Sequence, residues 1–173
     1  MPDRFLDASR AYLLDEYLPK IRIAVTPLTE DDIWWRPVDG SNCIGNLLLH
    51  IEGNARQWLV AGVGGRTDAR NRDAEFDARD GRSTAQLLDQ LATCFTDADA
   101  VLGELDPAAL DAPRVIQGHV TTIFAAIYHV VEHVSMHTGQ IIQLAKWRAP
   151  GAVKLYDASS TSFTPLWHLT PRE

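Results

Sequence analysis

The stretch Thr121–Arg148, TTIFAAIYHVVEHVSMHTGQIIQLAKWR, decides the fold. Ile123, Ile127, Val130, Val134, Ile141 and Leu144 recur along it at helical spacing, and Pro150 and Gly151 follow as a stop. This is the longest periodic run in the chain, so it predicts a long amphipathic helix with one apolar face. Such a face needs partners, and three further runs supply them.

Working outward, residues 3–25 carry Leu6, Leu13, Tyr17, Ile21 and Ala24 at three- and four-residue steps, with Pro19 predicting a kink. A linker at 26–40 leads to Ser41 or Asn42 as the N-cap of a second helix. That helix bears Ile44, Leu47, Leu48, Ile51, Ala55 and Trp58, and Gly62, Gly64 and Gly65 end it. Residues 66–82 hold five arginines against five acidic residues, the pattern of a long, solvated, charged connection. Ser83 with Gln86 forms a capping box for a third helix through Leu87, Leu91, Phe95, Ala98, Leu102 and Leu105. Residues 114–117 offer the one short segment able to pair as a strand. Four amphipathic helices bury their stripes only against one another, which predicts an all-α four-helix bundle. The expected division is a bundle at 1–149 and a C-terminal tail at 150–173, whose Phe163, Leu166 and Trp167 would cover the bundle or a second subunit.

Composition narrows the function. The chain has 173 residues, 46% hydrophobic and 23% charged, as one ordinary globular domain does. Its formal charge is 16 − 23 = −7. That balance argues against nucleic acid as a partner, because phosphate binding rests on lysine and arginine. The chain contains no apolar run of membrane-spanning or signal-peptide length, so no membrane partner is expected. Cys43 and Cys94 lie far apart without a CxxC pattern, which fits a reducing, cytoplasmic compartment.

The histidines carry the chemistry. His129, His133 and His137 lie four apart on the last helix, and residues at i and i+4 share a face with Cβ atoms about 6 Å apart. Two such imidazoles can reach a common ion at about 2.1 Å each, whereas His129 and His137 are separated by about 12 Å of helical rise. With about 100° per residue, the aliphatic stripe centres about 40° from His137, about 80° from His133 and about 120° from His129. His133 and His137 are therefore the better pair, and a third ligand must come from another helix. His50 is the natural candidate, being the one histidine of the second helix, although its phase sets it at the edge of that helix's buried stripe. A competing reading takes His129, Glu132 and His133 as an inverted zinc-peptidase pattern, HxxEH, with Glu132 as general base. Without an ion, all of these would be ordinary surface or interfacial side chains.

Three segments, LTEDDIWWRP (Leu28–Pro37), SNCIGNLLLH (Ser41–His50) and HVSMHTGQI (His133–Ile141), resemble in order and spacing the DinB-like, or YfiT-like, superfamily of four-helix bundles. The charged connection GVGGRTDARNRDAEF (Gly62–Phe76) is similar to one uncharacterised branch of it. The resemblance covers about residues 3–148. It implies a divalent metal, zinc or nickel, held by one histidine of the second helix and two of the fourth, which in this chain are His50, His133 and His137. It also implies a homodimer and a small-molecule substrate. The activities it suggests are S-transfer from a low-molecular-weight thiol or hydrolysis, and the alternative is a non-catalytic, stress-associated protein with a structural ion. Lesser candidates are Cys43 as a thiol at a helix start, Gln140 as a group orienting a ligand, and Trp34, Trp35 and Trp58 as pocket walls.

Overall fold

The computed structural model describes residues 2–157, 159 and 164–169. The protein is mainly helical, in keeping with the all-α expectation. Helix α1 covers residues 2–25, α2 Glu30–Trp34, α3 residues 44–63, α4 Arg72–Asp77, α5 Thr84–Glu104 and α6 Ile123–Arg148. Strands β1 (Pro113–Ile116) and β2 (His119–Thr122) form an antiparallel hairpin before α6. Strands β3 (Tyr156–Asp157) and β4 (Thr164–Pro165) pair in the tail.

The four long helices contact one another in a closed cycle. Helix α3 lies against α5 and α6, and α1 lies against α6 and α5. The core between them is aliphatic, with Leu13, Ile21, Ile51, Leu91, Phe95, Ile127, Val134 and Ile141 each at most 1% exposed. Burying a side chain of this size stabilises by about 1.5–3 kcal/mol, so the stripes orient the helices. Helix α6 starts where Thr122 Oγ1 accepts the Ala125 N–H at 3.1 Å, and α5 starts at the Ser83–Gln86 capping box.

Several local features differ from the sequence reading, each for a physical reason. The helical backbone of α1 continues through Pro19. The residues before it, Tyr12–Tyr17, wind as a π-helix, and the α register resumes at Leu18. The cap of α3 is Cys43 rather than Ser41 or Asn42, because the Cys43 sulfur and the Asn46 amide form a reciprocal capping box. Gly62 lies inside α3, where a Cβ would stand 2.5 Å from Ile116 Cδ1, so the missing side chain lets the hairpin dock. The end of α3 falls at Gly64, and Gly65 adopts φ +71°. The linker at 26–40 contains the five-residue α2, nucleated by a Thr29–Asp32 capping box. Residues 113–116 do pair as a strand, turning through Gln117 and Gly118, both with positive φ, as a two-residue hairpin requires.

In the tail, Trp167 is buried against α1. Its Nε1–H donates to Glu16 at 2.8 Å and the Lys20 ammonium lies 4.1 Å from its ring centre. Leu166 is half-buried, and Phe163 falls outside the described residues. Among the described residues, no helix is long and apolar enough to cross a membrane.

Candidate metal centre

Helix α3 is apolar on nearly every side, from Cys43 to Ile51, because it lies between α5, α6 and α4. His50 therefore sits well inside, at 7% exposure, not at the edge its own periodicity indicates. Facing it from α6 are His133 and His137, each 9% exposed. Four residues apart, they bring their rings to 4.4 Å, in an edge-to-face arrangement.

The three Nε2 atoms converge. Those of His50 and His133 are 3.1 Å apart, and those of His137 and His133 are 3.2 Å apart. The ligand atoms of all three lie within 4.8 Å of one another. Two nitrogens bound at about 2.1 Å to one tetrahedral ion would be about 3.4 Å apart, so this spacing is that of a ligand set with little rearrangement left to make.

The outer ring nitrogens fix the tautomers of two members. His50 Nδ1 lies 2.9 Å from Glu75 Oε2 and 3.2 Å from Arg70 Nη2, and the shorter contact, to a carboxylate that can only accept, assigns it the proton. His137 Nδ1 donates to Gln140 Oε1 at 2.7 Å. Both Nε2 atoms are therefore bare lone pairs turned towards His133. A proton on His133 Nε2 satisfies one of them and leaves the other facing nitrogen in a buried space. A second proton is disfavoured. Burial, reinforced by the charges that His137 and His50 would carry, pushes His133 down to about 3, and burial pushes His137 below the ordinary histidine value. A cation satisfies all three lone pairs at once. His133 Nδ1 is buried without a hydrogen-bond partner among the described residues.

Glu75 belongs to a network that the sequence reading placed in a solvated connection. Its Oε1 accepts from Arg70 Nε at 2.6 Å, and its Oε2 accepts from both Arg70 Nη2 at 2.9 Å and His50 Nδ1. Burial alone would raise the Glu75 pKa, but the hydrogen bonds from Arg70 and His50 hold it below the usual carboxylate range. The Arg70 side chain is 4% exposed and also donates to Gln57, which receives Gln117 from the hairpin tip. Room for the carboxylate comes from Gly53, where a Cβ would stand 2.2 Å from Glu75 Oε1. The Phe76 ring lies 4.7 Å from that of His50. Phe76 was the available signal, since it is the one large apolar side chain between Val63 and Leu87.

The remaining candidates fall outside the cluster. His129 Nε2 lies 3.4 Å from the Asn54 amide and its ring centre is 4.4 Å from that of Trp58, the planes tilted by 47°, while Glu132 is exposed. The His129 and His133 rings lie 5.4 Å apart, but His129 is not among the three residues whose ligand atoms converge. Cys43 and Cys94 are buried free thiols, and burial pushes Cys94 up to about 12, far from a reactive thiolate. Trp34 covers Gly45 and donates to the Arg82 carbonyl, and Trp35 lies under the Arg148 guanidinium.

With this geometry in place, the family follows. The model for the family described as "Protein of unknown function (DUF1572)" matches residues 2–154. The chain belongs to that family. The match spans all six helices and all three converging histidines. No curated protein matches the chain.

Proposed function

We propose that His50, His133 and His137 hold one divalent ion, zinc or nickel, and that this DUF1572 member is a metal-dependent enzyme of the DinB-like type, a thiol S-transferase or a hydrolase. The observation that carries the reading is the convergence of three buried Nε2 atoms, two of them fixed as bare lone pairs by Glu75 and Gln140. The closed cycle of α1, α5, α3 and α6 supports a DinB-type bundle.

Three neutral imidazoles leave such an ion its full +2 charge and an open position, where water or a thiol can lose its proton near neutral pH. The residues of the chain prepare that position. Glu75 accepts the hydrogen bond from His50 Nδ1–H, which makes His50 a stronger ligand and locks its ring, as a carboxylate does behind a metal-bound histidine. Gln140 does the same for His137 with a neutral acceptor. Arg70 holds Glu75 ionised and, together with Phe76, keeps water from that side of His50. Both cysteines are buried, so on this reading the nucleophile belongs to the cosubstrate or to water.

Metal analysis of protein purified without an affinity tag tests the foundation. We expect close to one equivalent of zinc or nickel per chain, and less than about a tenth would overturn the reading. Turnover of a generic electrophile with a panel of low-molecular-weight thiols then separates transfer from hydrolysis, since only transfer consumes thiol. The burial of all three rings favours a second reading, in which the ion only ties α3 to α6. A structural ion would raise the melting temperature steeply through linkage and leave every substrate unturned. The DinB-like reading also carries a homodimer, for which exposed Phe124 and Tyr128 on α6 offer apolar surface. Light scattering at micromolar concentration tests it.

A further inference from the structure

A pocket of about 360 Å³ opens where the loop before α3 meets the end of α4, lined by Arg36, Asp39, Ser41, Asn42, Phe76 and Arg79. Its volume lies in the range of sites for small molecules, about 300–1,000 Å³. The two guanidinium groups decide its character. Arg36 Nη1 donates to the Ser41 carbonyl at 2.9 Å and to Asn46 Oδ1 at 2.7 Å, and its Nη2 donates to the Ala78 carbonyl at 2.8 Å. Arg79 Nη1 donates to the carbonyls of Phe76, Asp77 and Ala78.

Every one of these acceptors is neutral. The contacts hold both cations in place without cancelling their charge, whereas Arg10, Arg56, Arg66, Arg70 and Arg148 each meet a carboxylate. Neither Arg36 nor Arg79 has an ion pair among the described residues, and the Asn42 amide has no hydrogen-bond partner among them. Asp39 is the one acid in the lining, which leaves a net charge of +1. A single carboxylate neutralises that charge, and its planar pair of oxygens suits the guanidinium fork. Phe76 lines the pocket and also lies 4.7 Å from the His50 ring, so pocket and histidine cluster share a side chain.

We propose that this pocket is a carboxylate-binding subsite, in which Arg36, Arg79 and Asn42 receive the acid group of a small organic molecule beside the histidine cluster. The ligand class follows from the lining itself, and only its link to turnover rests on the metal-dependent reading. On that link, the substrate or cosubstrate carries a carboxylate in addition to the group that meets the ion.

The test is a titration of the full chain with sodium acetate, followed in two-dimensional ¹H–¹⁵N NMR spectra at constant ionic strength, with inorganic phosphate and chloride as the other arms. It is run on chelator-treated protein, so that acetate binding is read without metal. A protein that takes no zinc can then still pass, and one that takes zinc can fail. We expect saturable shifts at Ser41, Asn42 and Phe76, at least threefold weaker binding in R79Q and at least threefold tighter binding in D39N. D39N carries the test should R79Q fail to fold, because Asp39 is exposed at the pocket rim. Shifts that do not saturate, or equal affinity in the parent and D39N, overturn the proposal. Phosphate or chloride binding more tightly than acetate overturns the carboxylate assignment.

Discussion

Replacing Glu75 with Gln probes the histidine cluster from behind. The substitution keeps shape but puts an amide NH₂ where one carboxylate oxygen accepts hydrogen bonds. Three donors, His50 Nδ1, Arg70 Nε and Arg70 Nη2, now converge on the two oxygens at 2.6–2.9 Å. One amide oxygen cannot serve all three. Loss of an outer-shell carboxylate behind a metal-bound histidine weakens metal affinity about 10- to 100-fold, or about 1.4–2.7 kcal/mol. The metal-free fold also suffers, because the Arg70 guanidinium, with its side chain 4% exposed, is left without its counter-charge. Breaking one partner out of a buried pair costs about 3–5 kcal/mol. Competition for zinc against a chromophoric chelator at pH 7.5 reads the first effect, and urea denaturation of the chelated protein reads the second. In an H50A background E75Q should cost no further zinc affinity, since its action passes through His50. Zinc affinity of E75Q within twofold of the parent would refute the reasoning.

Other expectations follow from the same geometry. His137→Ala should bring zinc content below about a tenth of an equivalent, while His129→Ala should keep one equivalent, both read by elemental analysis. The metal-free protein should lose stability as pH falls below the ordinary histidine value of 6.5. Between there and about 3 the unfolded chain binds a proton that folded His133 does not, so the slope from this group is at most about 1.4 kcal/mol per pH unit. His137 and His129, also shifted down, add in the same direction, and a series of urea melts from pH 7.5 to 5 checks the sign. Gly53→Ala should displace the Glu75 carboxylate and lower both melting temperature and zinc affinity, whereas a substitution at the open position Gly139 should leave zinc affinity unchanged.

The long helices are legible because their stripes repeat many times. Ile123 to Leu144 sample the period over six turns, and no local feature competes with it. The pair His133 and His137 is legible for the same reason, since both are measured against one well-defined stripe. His50 is less so. A helix enclosed by three neighbours has no polar face to set its phase, and the apolar residues around His50 blur the direction from which it is reached. Glu75 and Arg70 are hidden more deeply. Their segment has the composition of a solvated loop, and it is folded onto α3 by long-range contacts: Phe76 on His50, the Gly53 gap, the Asn46 amide on the Glu75 carbonyl, and Arg70 on Gln57. The sequence marks Pro19 as a local irregularity but does not show its form, a π turn just ahead of it over Tyr12–Tyr17. Cys43 as a cap was out of reach, because sulfur is a weak acceptor seldom used there.

Anomalous diffraction at the zinc edge, from crystals of zinc-loaded protein, bears most directly on the central claim. One ion should sit about 2.1 Å from the Nε2 atoms of His50, His133 and His137, with Glu75 still holding His50 Nδ1. An ion bound instead by His129 with Glu132, or no ordered zinc between α3 and α6 at saturating concentration, would contradict it.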